Sequence, residues 1–282
     1  MSTSTPSLDR LRLQDDHESL DHAAVAKIPV QLGRLLHLDE LPRPETTGAL
    51  DLDMVPQLLR VSRRSHAGCV FEAAPSSLAA EQFRLMQRRL VNYAPKGGLV
   101  LLTSPGAGDG KSLNTHNLAW ALAEAGHNTL LLELDLRRPT QATYTRSQAP
   151  LSVADVLSGN VAPEDAVRRI SGLPLFYIGL EKPAANPTRL LRSKNLRQLL
   201  TWARQNFTWV IIDGPPVLAI ADVEEILPSV DLVLMIARER VTPKAMLQRA
   251  AERLGTRLDF IIFNDVDMSG AYGYGYGYNY RD

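Results

Sequence analysis

A glycine-rich loop set between an apolar strand and a helix is the feature that most constrains the fold of this chain. The loop reads Ser-Pro-Gly-Ala-Gly-Asp-Gly-Lys-Ser over residues 104–112 and directly follows the apolar run Leu99–Thr103. Glycines let the backbone curl so that several N–H groups converge on one point, and a helix N-terminus adds partial positive charge there. The sequence therefore predicts a binding site for the phosphates of a nucleotide.

The chain around this loop alternates short apolar strands with helices. The predicted strands are Leu99–Thr103, Thr129–Leu134, Leu173–Ile178, Trp209–Ile212, Leu232–Ile236 and Phe260–Phe263. The predicted helices are Leu78–Val91, Ser112–Ala125, Leu190–Gln205, Ala221–Leu227 and Lys244–Leu254. This alternation predicts an α/β fold of the P-loop NTPase class, with a mainly parallel sheet and helices on both faces. Ligands of such sheets bind at the carboxyl ends of the strands.

Composition and charge limit the partners and the compartment. Among 282 residues, Lys+Arg and Asp+Glu number 31 each, so no overall field attracts nucleic acid. The single cysteine, Cys69, excludes an intrachain disulfide and suits a reducing compartment. No apolar run approaches the ~20 residues that cross a bilayer, and no signal-peptide pattern opens the chain. We expect a cytoplasmic protein that reaches the inner face of the cell membrane only through a partner.

Three parts are predicted along the chain. Residues 1–75 mix polar and acidic residues with prolines, which indicates a flexible arm that carries docking segments. Residues 76–264 contain the phosphate loop with its strands and helices and form the predicted P-loop domain. Residues 265–282 form a tyrosine-rich tail.

The loop supplies the predicted nucleotide contacts. Lys111 would reach the β- and γ-phosphates, and the Ser112 hydroxyl would ligate Mg²⁺. Pro105 stands where the general pattern has its first glycine, which is one departure. The predicted nucleotide-binding residues of the loop are Gly106, Ala107, Gly108, Asp109, Gly110, Lys111 and Ser112.

Carboxylates follow two of the other strands. Glu133 and Asp135 end the second strand, and the period of two places them on the same side. Either can hold Mg²⁺ through water or accept a proton from an attacking hydroxyl. Asp213 comes directly after four apolar residues, where an acid is costly unless it is paired or coordinates something. The predicted metal-site residues are Ser112, Asp135 and Asp213.

Five of the eight tyrosines lie within the last eleven residues and alternate mostly with glycine. They are Tyr272, Tyr274, Tyr276, Tyr278 and Tyr280. A glycine-spaced run at a terminus cannot form a core, so it is either an adhesive low-complexity tail or a substrate. Together with a phosphate loop in the same chain, the run indicates a kinase and its own phosphoacceptor.

These segments closely resemble the bacterial tyrosine kinases of capsule and exopolysaccharide synthesis, over about three quarters of the chain. Thr103–Ser112 resembles the first phosphate motif of that family, Leu131–Pro139 its acidic motif, and Val210–Pro216 its third motif. Leu151–Gly159 and Asn186–Leu191 resemble two supporting segments. The tyrosine cluster resembles the family's autophosphorylation region.

The resemblance implies a non-specific protein-tyrosine kinase that regulates exopolysaccharide polymerisation and export. Such kinases transfer the γ-phosphoryl group of ATP, with Mg²⁺, to tail tyrosines of a neighbouring subunit, commonly within a ring-shaped homo-oligomer. Their usual activator is a membrane-spanning polysaccharide co-polymerase, here expected to be a separate chain. Lys111, Glu133, Asp135 and Asp213 are the implied catalytic residues. Asn264 would contact the adenine, as in related P-loop ATPases, or serve only as a turn residue.

Two positions depart from the family pattern. Glu133 stands where the acidic motif normally begins with Asp, and the extra methylene moves its carboxylate by about a bond length. The family's ring contact uses an acid followed by two arginines, which Glu81 and Arg84 match, but Gln87 takes the third position. Arg88 lies beside it.

Two alternatives stay open on the sequence. A partition- or division-type ATPase would have the same fold, but its signature lysine early in the loop is replaced by Gly106. A catalytically weak scaffold that binds nucleotide and recruits the polysaccharide machinery is the other alternative, because of Glu133. Which carboxylate accepts the tyrosine proton, Glu133 or Asp135, also stays open.

Overall fold

The computed structural model describes residues 50–60, 66–170, 172–219 and 221–266. Its strands are β1 (Gly98–Thr103), β2 (Thr129–Glu133), β3 (Arg168–Ile170), β4 (Leu175–Ile178), β5 (Trp209–Asp213), β6 (Leu232–Arg238) and β7 (Phe260–Asn264). These seven form one sheet in the order β3-β4-β2-β5-β1-β6-β7. All neighbouring pairs are parallel except β3 with β4. The predicted α/β class with a mainly parallel sheet is confirmed.

Helices cover both faces of the sheet. In chain order they are α1 (Val70–Ala73), α2 (Leu78–Tyr93), α3 (Lys111–Glu124), α4 (Gln141–Thr145), α5 (Val153–Ser158), α6 (Pro163–Ala166), α7 (Pro187–Leu191), α8 (Lys194–Asn206), α9 (Val223–Ile226) and α10 (Lys244–Leu254). Short 3₁₀ turns follow α9 and α10. Helices α2 and α3 pack with one apolar cluster, whereas α5, α8 and α10 pack with another.

Strand β1 shows why the central strands are apolar throughout. Leu99 and Leu101 belong to one apolar cluster, and Val100 and Leu102 belong to the cluster on the opposite face. Successive side chains of a strand point to opposite faces, so a strand with helices on both sides buries every side chain. The sheet is therefore the common wall of two hydrophobic cores, and its strand ends are held in place from both sides.

Several elements differ from the prediction, among them short helices such as α4, one strand and one long helix. Strand β3 (Arg168–Ile170) was not predicted, because three residues with two arginines carry no strand pattern. The predicted helix Leu190–Gln205 is two helices, α7 and α8, because Ser193 between them is extended, with φ −68° and ψ 151°. The Ser193 hydroxyl does not cap α8 but donates to the carbonyl of Leu157, at 3.1 Å.

Described residues before position 76 pack against the domain. Val55 and Leu58 are buried, and Gln57 forms a β-bridge with Arg169. Phe71 of α1 is also buried. The predicted division at residue 75 stays a prediction, and so does the flexible arm, most of which lies outside the described residues. The phosphoacceptor tyrosines of the tail also lie outside them.

Helix α3 is enclosed on nearly all sides. The Asn117 amide donates to the carbonyl of Gly68 and accepts from the backbone N–H of Val70, at 2.8 and 3.0 Å. The segment that carries α1 is thus tied to the helix that follows the phosphate loop.

None of the described helices is both long and apolar enough to cross a bilayer.

The entry into β1 requires glycine. Gly97 has φ +80°, and a Cβ added there would lie 2.0 Å from the carbonyl oxygen of Thr208. We expect Gly97→Ala to lower the free energy of unfolding by about 3 kcal/mol, since a backbone clash adds to the left-handed conformation. Gly126→Ala is the control, because Gly126 has φ +87° but open space around the added Cβ. Urea unfolding measures both, and equal losses would contradict the clash.

Candidate functional site

The side chain of Asp109, the acidic residue of the phosphate loop, hydrogen-bonds both to the loop itself and to a neighbouring segment. Asp109 accepts the backbone N–H of Gly106 at 3.1 Å and the hydroxyl of Thr242 at 2.6 Å. At the base of the loop, the backbone N–H of Val217 donates to the carbonyl of Ser104 at 2.8 Å. The loop is therefore braced internally, by the segment after β5, and by the segment after β6.

Asn264, the last residue of β7, lies directly beside the loop. Its amide donates to the carbonyl of Asp109 at 3.1 Å. Gly110 has φ +88°, and an added Cβ would meet the Asn264 Nδ2 at 2.1 Å. Only glycine allows this close approach, which brings the end of the sheet's edge strand to the predicted nucleotide site. The predicted contact of Asn264 with an adenine stays a prediction.

Lys111 forms the centre of a buried charge cluster. Its ammonium group pairs with Asp213, lies 3.4 Å from Asp135 Oδ2, and donates to the Ser112 hydroxyl at 3.1 Å. Lys111 is 6% exposed and Asp213 is fully buried. Burial disfavours the charged lysine, but attraction by Asp213 and Asp135 outweighs it, so the pKa of Lys111 is raised. The ammonium is therefore charged at neutral pH.

The second oxygen of Asp213 is bound by a residue that the sequence reasoning missed. Gln141, the first residue of α4, donates from Nε2 to Asp213 Oδ2 at 2.8 Å and to the carbonyl of Ser112 at 2.7 Å. Gln141 is fully buried. Nothing in the pattern Arg-Pro-Thr-Gln marks it, because its role follows from the path of the chain after β2.

Glu133 and Asp135 lie on the same side, as predicted, but in different surroundings. Both carboxylate oxygens of Glu133 accept backbone N–H groups, from Thr140 and Gln141, each at 3.0 Å. Burial and then repulsion by Asp213 raise the pKa of Glu133 well above its usual value. Burial also raises the pKa of Asp135, although Lys111 opposes the shift. Asp135 faces the lysine, whereas Glu133 holds the start of α4.

The cluster fits a nucleotide with a divalent cation. Asp135 and Asp213 face a single ammonium beside the phosphate loop, and Glu133 is a third acidic side chain close by. Proteins usually bind Mg²⁺ through one or two side chains together with substrate phosphates and water. The Ser112 hydroxyl, Asp135 and Asp213 around Lys111 are side chains of the kind that such a site uses.

A second charged group lies behind the acidic motif. Arg137 donates to Asp222 at 2.8 Å and to the Thr188 hydroxyl at 2.7 Å, and that hydroxyl donates to Asp222 at 2.8 Å. Asp222 is 3% exposed. These contacts tie the first turn of α7 and the residue before α9 to the segment that follows β2. Thr188 lies in a segment that the sequence singled out, but its partner Asp222 carried no signal.

Comparisons with known proteins identify the family. No family model matches the chain. The tyrosine-protein kinase YwqD of Bacillus subtilis is 31% identical over 186 residues, which cover 64% of this chain and 78% of that protein. The chain belongs to the bacterial tyrosine kinases. The resemblance read from the motifs is thereby confirmed, and the enzyme class is that of a protein-tyrosine kinase.

Longer relatives and solved structures agree with this assignment. The kinase is 34% identical over 200 residues to the tyrosine-protein kinase Ptk of Acinetobacter johnsonii, covering 69% of this chain but only 27% of Ptk. The solved BceF tyrosine kinase domain is 32% identical, with a TM-score of 0.61, over 70% of this chain and 81% of that one. These matches favour the kinase over the division-type ATPase.

The P-loop fold extends to more distant proteins. The septum site-determining protein MinD of Pyrococcus horikoshii, solved with Mg-ADP, has a TM-score of 0.51 over 58% of this chain and 68% of that one. At 17% identity this likeness shows the fold alone. The kinase therefore shares its fold with MinD, in agreement with the mainly parallel sheet.

His116 of α3, which is buried, makes the stability of the folded chain depend on pH. Burial lowers its pKa from 6.5 to about 4, although attraction by Glu72 and the contact with the Gln141 side chain oppose the shift. The unfolded chain therefore binds this proton at a higher pH than the folded chain. Stability contributed by neutral His116 is present above pH 6.5 and is lost as the pH falls towards 4.

We expect the free energy of unfolding of the natural chain to fall by roughly 2 kcal/mol more than that of His116→Phe between pH 7 and pH 5. Phenylalanine suits the site because Trp120 and Tyr144 lie 5.9 Å from the imidazole, between ring centroids. Urea unfolding at pH 7, 6 and 5 measures the difference, in which other titrating groups cancel. Parallel pH profiles of the two proteins would contradict the shifted pKa.

Proposed function

We propose that this kinase is an ATP-dependent tyrosine autokinase that phosphorylates the tyrosine cluster of its own C-terminal tail. The observation that carries the proposal is the Lys111–Asp135–Asp213 cluster at the phosphate loop, in a chain whose tail supplies five tyrosines. ATP is the phosphoryl donor, and Mg²⁺ would neutralise charge on its phosphates when bound.

The residues of the loop and of the neighbouring strand ends have proposed roles in binding Mg·ATP. Backbone N–H groups of residues 107–112 hold the phosphates, while that of Gly106 is bound to Asp109 and shapes the loop. Lys111 stabilises the charge that develops on the phosphates. The Ser112 hydroxyl, Asp213 and Asp135 face Mg²⁺, directly or through water. Asn264 contacts the adenine. The ion pair between Lys111 and Asp213 supports this arrangement, because it keeps the ammonium charged beside the loop.

Asp135 is the better placed acceptor for the tyrosine proton. Both oxygens of Glu133 already accept backbone N–H groups, whereas Asp135 accepts the N–H of Arg138 at 3.2 Å on one oxygen and faces Lys111 with the other. In the proposed step the phenolic oxygen bonds to the γ-phosphorus and the bond to the leaving ADP oxygen breaks. The phenolic proton passes to Asp135. A free phenol has a pKa near 10, so a nearby acceptor helps.

The tail begins beside the proposed site. Asn264 contacts the loop at Asp109, and Tyr272 and Tyr280 follow 8 and 16 residues later. A fully extended chain of those lengths spans at most roughly 27 and 54 Å, at about 3.4 Å per residue. Such lengths allow a tyrosine to enter the site of a neighbouring subunit, and we propose transfer in trans within a homo-oligomer, as a ring.

The proposed ring contact involves α2. Arg84 donates to Glu81 at 2.5 Å and bidentately to Glu124 of its own chain, at 2.8 and 3.0 Å. Gln87, in the family's second arginine position, is 8% exposed. Ring assembly would therefore use Glu81 and Arg84 without a third charged partner from position 87. We further propose that a membrane-spanning polysaccharide co-polymerase, as a separate chain, recruits and activates the kinase at the membrane.

Lys111→Met is expected to abolish tail phosphotyrosine in purified protein given Mg·ATP, because the phosphates lose their cation. Anti-phosphotyrosine detection and mass spectrometry measure the product. Lys182→Met, which changes an exposed lysine, is the matched control and should leave labelling unchanged. Full labelling of Lys111→Met would sink the autokinase proposal.

A mixing experiment with two variants tests whether the phosphoryl group is transferred between subunits. Full-length Lys111→Met serves as substrate for an enzyme in which the five tail tyrosines are changed to phenylalanine. Phosphotyrosine on the Lys111→Met tail supports transfer between subunits. If the natural chain labels its own tail but the Lys111→Met tail stays unlabelled in the mixture, the reaction is restricted to one subunit.

Replacing Glu133 with the family's usual Asp separates the kinase from the scaffold alternative. We expect Glu133→Asp to lower the rate of tail phosphorylation severalfold, because the shorter side chain draws its carboxylate away from the N–H groups that start α4. The initial rate of phosphotyrosine formation is measured, with the exposed substitution Glu181→Asp as control. A tenfold rise would favour a natural scaffold whose catalysis Glu133 suppresses.

A further inference from the structure

A single buried amide links two parts of the candidate site that are far apart in sequence. The Nε2 atom of Gln141 donates to the backbone carbonyl of Ser112 at 2.7 Å and to Asp213 Oδ2 at 2.8 Å. Both partners are acceptors, so the amide cannot be flipped without losing both hydrogen bonds. Its orientation is therefore determined by the site itself.

The contact with Asp213 settles how that carboxylate is turned. Rotation of a carboxylate about its terminal torsion is only weakly restricted by the side chain itself, so hydrogen bonds must fix it. Lys111 binds Oδ1, and among the described residues Gln141 is the side-chain amide that binds Oδ2. Asp213 is fully buried, so without Gln141 this oxygen would lack the donor it now has.

Gln141 is itself held by the start of α4. Glu133 accepts the N–H groups of Thr140 and Gln141, each at 3.0 Å. From within the helix, the Thr145 hydroxyl donates to the carbonyl of Gln141 at 2.8 Å. Glu133 thus acts on the site through the backbone of α4 and the side chain of Gln141.

We propose that Gln141 is a positioning residue for magnesium-dependent nucleotide binding, because one amide joins Ser112 and Asp213. Those are two residues to which the proposed function assigns Mg²⁺, and the inference rests on and deepens that function. Groups that orient metal-facing carboxylates typically change metal affinity 10–100-fold when removed. Gln141 holds the Asp213 carboxylate against the backbone of Ser112 before any ligand arrives.

The test measures ADP binding by the full-length chain, by calorimetry, with and without Mg²⁺. We expect Gln141→Leu to reduce the gain in ADP affinity that Mg²⁺ provides by about tenfold or more. Affinity for ADP without Mg²⁺ should stay within about twofold, since the loop N–H groups remain. Gln141→Glu keeps the length of the side chain but places an acceptor against Asp213, and we expect the same selective loss.

Thr129→Val is the matched control. It removes a buried hydroxyl that donates to the carbonyl of His127 at the start of β2, away from Gln141 and Asp213, so the Mg²⁺ gain should not change. A double-mutant cycle adds Asp213→Asn: the effect of Gln141→Leu on the Mg²⁺ gain should nearly vanish in that background. A general loosening of the fold would instead give additive losses.

Several outcomes would overturn the inference. They are an unchanged Mg²⁺ gain in both Gln141 variants, equal losses with and without Mg²⁺, the same loss in Thr129→Val, or unfolding of both Gln141 variants in thermal melts. The last would make Gln141 a stability residue. If the natural chain shows no Mg²⁺ gain, the proposed function falls as well, whereas a gain that survives Gln141→Leu sinks this inference alone.

Discussion

The buried ion pair between Lys111 and Asp213 is the interaction on which the site depends. It joins the first residue of α3 to the last residue of β5, at the carboxyl ends of the central strands. Charges removed from water are stable only with close partners and further hydrogen bonds, and here Asp135 and Gln141 provide them. The pair therefore requires the loop, the acidic motif and the third motif to be in place together.

Surroundings, rather than residue type, divide the carboxylates of the site into different roles. Glu133 is satisfied by backbone N–H groups and supports a helix start, whereas Asp135 faces the lysine. The extra methylene of Glu133 lets it span from the end of β2 to the start of α4. Its departure from the family pattern is thus compatible with the proposed reaction, in which Asp135 is the proton acceptor.

The same sheet also determines where the tail leaves the domain. Parallel strands bring their carboxyl ends to one edge, so the loop after β1, the acids after β2 and β5, and Asn264 of β7 meet there. A tail that continues from β7 starts next to the proposed nucleotide. This geometry, together with membership of the bacterial tyrosine kinases, makes the tail the natural candidate for substrate.

Sequence by itself determined the α/β class, the six long strands, and the positions of Lys111, Ser112, Asp135 and Asp213, because those follow from local periodicity and from motif spacing. Only the tertiary structure decided that Glu133 holds α4, that Gln141 binds Asp213, and that Ser193 divides one predicted helix into two. These features depend on which segments meet in space. The hydrogen bond between Gln141 and Asp213 joins residues 72 positions apart, and the one between Glu133 and Gln141 spans 8 positions across a loop. Neither leaves a periodic trace in the chain, so no local pattern could predict it.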